Sequence, residues 1–346
     1  MSEIIDVCSI KTIYNLLMDD ISREIFQNRL MYSLTDDPRY IRNVISTIEI
    51  GRKMVNDIVS TKKPIGIFGA GAIGRYIITT YKDLGKVKCY IDNKVAGEVY
   101  DGIPVVSLED FQKMYPDGMI IISTKLYYDE ILEQLKTCGF PDENIINLGK
   151  EYGRLNHIQY FDLPELKYTD REEEVFVDGG AFDGGSTIEF INWCMNGNKK
   201  AFAYVWEPDK YNREKCKSML QGKIDYELVA KGMWSQSGEI AFVMDGSTSS
   251  AVLEAGTEKI EVDSIDNVCR KPVAFIKMDI EGSEYNALLG SKSVIERDKP
   301  KLAICLYHKK EDIWEIPMLI HKMNPEYKFY LRHYSLADNE TVLYAI

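Results

Sequence analysis

Three groups of residues have the types and spacing for chemistry. The first is Gly69-Ala70-Gly71-Ala72-Ile73-Gly74, with Asp92 one helix and one strand later. The second is Val177-Asp178-Gly179-Gly180-Ala181-Phe182-Asp183-Gly184, with Glu207 at a matching distance in Val205-Trp206-Glu207-Pro208-Asp209. A glycine turn between strand and helix lets backbone N–H groups and a helix N-terminus approach a charged ligand. An acid closing the next strand accepts hydrogen bonds from ribose hydroxyls. Both groups therefore read as nucleoside-type sites. In the first, Gly69 serves the turn, Gly71 the approach to a pyrophosphate and Gly74 the packing of the helix. A nucleotide or nucleotide sugar is the ligand it implies, and the alternative is a scaffold with no ligand. The third group is Asp279, Glu281 and Glu284, with His308 farther on. These are groups that move protons, orient hydroxyls or hold metals.

The elements that must position these residues alternate. Residues 1–61 carry helical spacing (Ile21, Ile25, Phe26, Leu30, Met31, Leu34), and Asp37-Pro38 marks a fresh helix start. This helical segment is expected to pack on the domain that follows it. Residues 62–150 run strand, helix, strand as a small doubly wound Rossmann-like domain, for nucleotide binding or docking. Residues 151–172 show no period and read as a linker. Residues 173–346 alternate five times and close with a hairpin, Tyr-Lys-Phe-Tyr-Leu-Arg-His-Tyr-Ser to Thr-Val-Leu-Tyr-Ala-Ile. The fold class is α/β, with two doubly wound Rossmann-like domains. The C-terminal order is that expected of a class I S-adenosylmethionine (SAM) methyltransferase with an antiparallel terminal hairpin.

The stretches VFVDGGAFDGGSTIEF, WEPD, KMDIEGSEYNALLGS, YHKKEDIWEIP and YKFYLRHYS resemble the FkbM family of methyltransferases. The resemblance spans about residues 173–346, and DIEGSE before a helix is its most specific part. It implies a class I fold, SAM as methyl donor and O-methylation of a hydroxyl on a saccharide, nucleotide-linked sugar or related metabolite. It also implies that Asp178, Gly180 and Gly184, with Gly179 in the same turn, line the cofactor and that Glu207 holds its ribose. Phe182 and Asp183 depart from the Asn and apolar residue frequent in the family. Residues 62–150 resemble the small Rossmann modules found beside sugar-modifying enzymes.

Methyl transfer from a sulfonium is an in-line displacement by an acceptor oxygen, and a base that takes the oxygen's proton assists it. His308 is the most natural base, because neutral imidazole titrates near physiological pH. Asp279 would orient the acceptor or the sulfonium side, and Glu281 is the third candidate. The competing readings stay open at this point. Glu284 and Asp279 would serve as helix-end residues, and His308 as a surface loop residue. Asp279 with Glu281 would bind a divalent metal, but no third ligand is visible, so no metal is expected. Arg332 and His333 would meet an anionic acceptor or stand as solvated strand residues. At the level of the whole chain, the alternatives are an NAD-dependent oxidoreductase or epimerase centred on residues 62–150, and a noncatalytic nucleotide- or sugar-binding protein. Both leave DGGAFDGG and DIEGSE unexplained, and no Tyr-xxx-Lys beside a Ser follows the first glycine turn.

Composition narrows the classes further. The net charge of −12 argues against nucleic acid as a partner, and no apolar run reaches membrane-span length. The seven cysteines are scattered without a CxxC pair, which excludes a disulfide framework or structural zinc site. The expectation is a soluble, cytoplasmic enzyme with a small-molecule or glycan acceptor, and homo-oligomerisation is left open.

Overall fold

A computed structural model describes residues 7–242 and 258–346. The first six residues and the end of the strand expected over 238–245 lie outside the described residues. The chain forms two compact units, one of residues 27–158 and 333–340, the other of residues 7–26, 159–332 and 341–346.

In the first unit, β1 (Ile65–Phe68), β2 (Val87–Ile91), β3 (Val99–Tyr100), β4 (Ile103–Val106), β5 (Met119–Ile122) and β6 (Ile145–Asn147) form one sheet. Its order is β3-β4-β2-β1-β5-β6, parallel except for the β3–β4 edge pair. β1 and β5 are buried along their whole length, which is why they read as unbroken apolar runs rather than alternating ones. Helices Pro38–Ile45 and Glu49–Ser60 contribute Ile41, Ile45, Met54 and Ile58 to the core with Ile65, Ile67 and Ile77. Phe68, Phe111, Ile120, Ile122, Leu135 and Phe140 form a second cluster. Asp37 caps the helix at Pro38 as its position suggests, accepting a bond from the Arg39 N–H.

In the second unit, β7 (Glu173–Gly179), β8 (Lys200–Trp206), β9 (Asp225–Val229), β10 (Gly232–Met233), β11 (Gly238–Phe242), β12 (Glu258–Asp263), β13 (Phe275–Met278), β14 (Lys301–Cys305), β15 (Phe329–His333) and β16 (Thr341–Ala345) follow. Seven of them form the main sheet, ordered β15-β16-β14-β13-β7-β8-β9. β7 to β9 step outward to one side, β13 and β14 to the other, and β16 runs antiparallel to β14. The strand order therefore reverses between β7 and β13, and the carboxyl ends at such a switch point are where open α/β sheets bind ligands. Within this unit Phe161, Phe176, Phe190, Trp193 and Phe275 pack together, with Phe176 stacked on Phe190 at 4.6 Å.

Three expectations change. The first part of the N-terminal helical segment belongs with the C-terminal unit, not the adjacent Rossmann module. The Met18 N–H donates to the Phe329 carbonyl, the Leu331 N–H donates to Ser22 Oγ at 2.9 Å, and Asp19 pairs with Arg332 at 2.7 Å. Buried backbone groups of an edge strand need partners, and this segment supplies them. Arg332 is thereby engaged in an internal ion pair, and His333 is buried against the Ala337 carbonyl at 3.0 Å, so neither is a solvated strand residue. The stretch expected as a linker begins with a helix, Gly149–Ile158.

Burial depresses the His333 pKa to about 3, and nearby Arg29 adds to the effect. A neutral buried base disfavours folding wherever the unfolded chain binds the proton and the folded one does not. Stability should therefore fall as pH drops from about 6.5 toward 3, by up to about 1.4 kcal/mol per pH unit from this group. Urea unfolding at pH 7.5 and 5 should show a smaller pH-linked loss in His333→Gln than in the wild type. Equal losses would mean that His333 does not carry the effect.

Candidate active site at the carboxyl ends of the second sheet

The turn after β7 is built around a buried ion pair. Lys277 Nζ lies 3.2 Å from Asp178 Oδ1, with the side chains 3% and 0% exposed. The same ammonium donates to the Gly179 and Gly180 carbonyls at 2.9 and 2.8 Å. Asp178 Oδ2 accepts from Ser186 Oγ and Thr187 Oγ1 at 2.7 and 2.6 Å. Burial opposes the Lys277 charge, but Asp178 and Asp279 outweigh it and hold the lysine protonated. The glycines are required by this packing. A Cβ on Gly180 (φ 71°) would meet the Asp279 carbonyl oxygen at 1.9 Å, and one on Gly179 would meet Met233 Sδ at 2.7 Å. Gly184, at φ 89°, precedes helix Gly185–Asn196.

Glu207 closes β8. Its Oε2 accepts from the Phe182 N–H at 2.9 Å and its Oε1 from the Asp209 N–H at 2.8 Å. Each oxygen retains a further lone pair, so the carboxylate suits a ribose diol. Burial pushes its pKa up to about 7 against those two N–H groups. Asp178, Gly179, Gly180, Gly184 and Glu207 are thus grouped around one strand–turn–helix edge, as the sequence suggested.

Asp279 and Glu281 leave β13, and His308 follows β14. Asp279 accepts from the Tyr160 and Tyr307 hydroxyls at 3.1 and 2.9 Å. His308 Nε2 is 3.4 Å from Asp279 Oδ1 and 3.6 Å from Glu281 Oε2, while Nδ1 is 2.9 Å from Glu284 Oε1. The three candidates therefore converge. The charge state corrects the expectation of a neutral imidazole. Burial opposes its charge, yet Glu284, Asp279 and Glu281 push the His308 pKa up to about 10. The three carboxylates favour the protonated ring, which weakens it as a base. Asp279 is held below the usual carboxylate range: burial opposes ionisation, but Lys277, His308, Tyr307 and Tyr160 outweigh it.

Lys277, Tyr160 and Tyr307 were not singled out in the sequence. Lys277 gave a signal, as a lone cation within the apolar strand Val273-Ala274-Phe275-Ile276-Lys277-Met278. Tyr160 gave none, because it lies in an aperiodic stretch and reaches Asp279 only through tertiary folding.

In the other unit, Gly69 (φ 106°) and Gly71 form the turn after β1, Gly74 lies in the first turn of helix Ala72–Tyr81, and the Gly69 N–H donates to the Ile91 carbonyl just before Asp92. Asp92 Oδ1 accepts from the Lys94 N–H at 2.9 Å. A Cβ on Gly74 would meet the Gly69 carbonyl oxygen at 2.3 Å, whereas one on Gly71 would meet nothing within 4 Å. Gly74→Ala should destabilise the protein by about 1–3 kcal/mol through overpacking, and Gly71→Ala should leave it nearly unchanged. Chemical denaturation of the two variants checks this, and equal stabilities would contradict the packing argument.

Residues 178–334 match the family described as the methyltransferase FkbM domain, and residues 61–146 match the one described as C2185-like, N-terminal. No curated protein matches the chain. Its fold is similar to the crystal structure of methyltransferase FkbM from Methylobacillus flagellatus KT, at 20% identity and a TM-score of 0.52, over 84% of this chain and 93% of that one. Among the described residues no helix is long and apolar enough to cross a membrane. The topology of the second sheet, the glycine turn with its paired acid and the match over residues 178–334 identify an FkbM methyltransferase domain within this chain.

Proposed function

We propose that the protein is a SAM-dependent O-methyltransferase acting on a hydroxyl of a saccharide, a nucleotide-linked sugar or a related metabolite. The observation that carries the reading is the Asp279 carboxylate, oriented by two tyrosine hydroxyls beside the glycine turn. The saccharide class rests on the sequence resemblance. SAM, when bound, supplies a methyl group already activated on a sulfonium. Glu207 accepts from the ribose hydroxyls, and the Asp178–Lys277 pair keeps the turn in shape beneath it. Asp279 accepts a hydrogen bond from the acceptor hydroxyl and takes its proton as the new C–O bond forms. A carboxylate suffices for that task, because an alkylating oxygen becomes strongly acidic. Tyr160, Tyr307 and His308 position Asp279, and Glu281 flanks His308.

Two experiments test this. In a methyl-transfer assay with labelled SAM against sugars and nucleotide sugars, Asp279→Asn should lower kcat by at least about 10²-fold. Its SAM affinity should stay within a few-fold of wild type. Full activity in Asp279→Asn would remove Asp279 from the chemistry. Calorimetry addresses the cofactor. A ribose diol favours the ionised Glu207, so SAM affinity should fall about tenfold from pH 8 to 6 as the carboxyl takes up a proton. Glu207→Gln should bind more weakly and show no such trend. A pH-independent wild type would reject Glu207 as the ribose acceptor.

A further inference from the structure

The acceptor end of the site holds more ligating capacity than a proton transfer uses. Asp279, Glu284 and His308 each offer one ligand atom, and these atoms all lie within 4.8 Å of one another. They come from three places: the end of β13, the first turn of helix Glu284–Leu289 and the residues after β14. Glu284 is fully buried, and its Oε2 has no hydrogen-bond partner. The His308 side chain is 8% exposed, and neither ring nitrogen makes a hydrogen bond of proper geometry, close as the carboxylates are. Leaving a buried carboxylate oxygen unpaired is costly, so its retention calls for a partner. Divalent cations draw oxygen and imidazole ligands to about 2.0–2.4 Å, which sets neighbouring ligand atoms roughly 3 Å apart and opposed ones below about 5 Å. The 3.4 Å from His308 Nε2 to Asp279 Oδ1 fits that spacing.

We propose that Asp279, Glu284 and His308, whose ring gives up its proton as the ion binds, form a binding site for one divalent cation of the Mg²⁺ or Mn²⁺ type, with Glu281 at its rim. The sequence hid the third ligand: Asp279 and Glu281 share a motif, whereas His308 joins them only through the pairing of β13 with β14. On the methyltransferase reading, the ion lies where the acceptor hydroxyl docks and polarises its oxygen. That role rests on the proposed function, but the binding does not.

The test is titration of the full chain with MnCl2, after chelator treatment and without SAM, followed by electron paramagnetic resonance. One Mn²⁺ per chain is expected. Glu284→Gln keeps an acceptor for the Ile280 N–H, which Glu284 now receives at 2.8 Å, and should weaken Mn²⁺ binding at least about tenfold. Asp279→Asn, whose side chain is partly open to solvent, should do the same and covers the case in which Glu284→Gln fails to fold. Glu261→Gln, on a different strand pair, should bind as the wild type does. No Mn²⁺ binding by the wild type, or equal binding by wild type and both site variants, overturns the proposal. Mn²⁺ binding without methyl transfer to any acceptor would uphold the ion site while sinking the proposed reaction.

Discussion

The buried contact between Lys277 and Asp178 governs the second unit. Two charges with almost no exposure are stable inside a protein only when paired and fully hydrogen-bonded, and removing one partner typically costs about 3–5 kcal/mol. Here the ammonium reaches the carboxylate and two carbonyls of the glycine turn. The carboxylate also receives two hydroxyls from the first turn of helix Gly185–Asn196. One lysine on β13 thus fixes the end of β7, the turn and the start of the following helix. The close approach of Gly180 to the Asp279 carbonyl follows from the same arrangement.

That pair also sets the electrostatics of its surroundings. Asp279 lies one turn of chain beyond Lys277 and is kept ionised partly by it. His308 stands among Asp279, Glu281 and Glu284 and is driven to its charged form. Asp312 shows the opposite effect nearby, where burial and the Glu284 charge push its pKa up to about 7. Charge at this end of the sheet is therefore dense and buried, whereas the Glu207 carboxylate is met by two backbone N–H groups. The division suits a cofactor recognised through hydroxyls on one side and an acceptor handled through charge on the other.

The two glycine turns illustrate how similar sequence patterns take different physical roles. Gly180 and Gly74 are demanded by their own chain, since a Cβ on either would strike a backbone oxygen. Gly71 is not, because the space before helix Ala72–Tyr81 is open. Ser123 Oγ braces the first turn through the Phe68 and Gly69 carbonyls, and Lys277 braces the second. A hydroxyl brace adds no charge, and a buried ion pair does.

Much of the fold was legible because its signals are local. Apolar strand runs, glycine turns, the Asp37-Pro38 start and the placed acids Glu207 and Asp92 all follow from short-range sterics and burial. The alternation of strand and helix then implied a doubly wound sheet, and the closing hairpin implied the class I order. Tertiary structure decided what depends on neighbours far apart in sequence. The N-terminal residues Asp19 and Ser22 pair with the last strands because an edge strand's polar groups need partners that no periodicity can name. Tyr160 reaches Asp279 from an aperiodic segment. His308 reads as a near-neutral base by residue type, yet three carboxylates delivered by two other elements make it a cation. A pKa is a property of the assembled field, so the chain could disclose the candidate residues but not their charge.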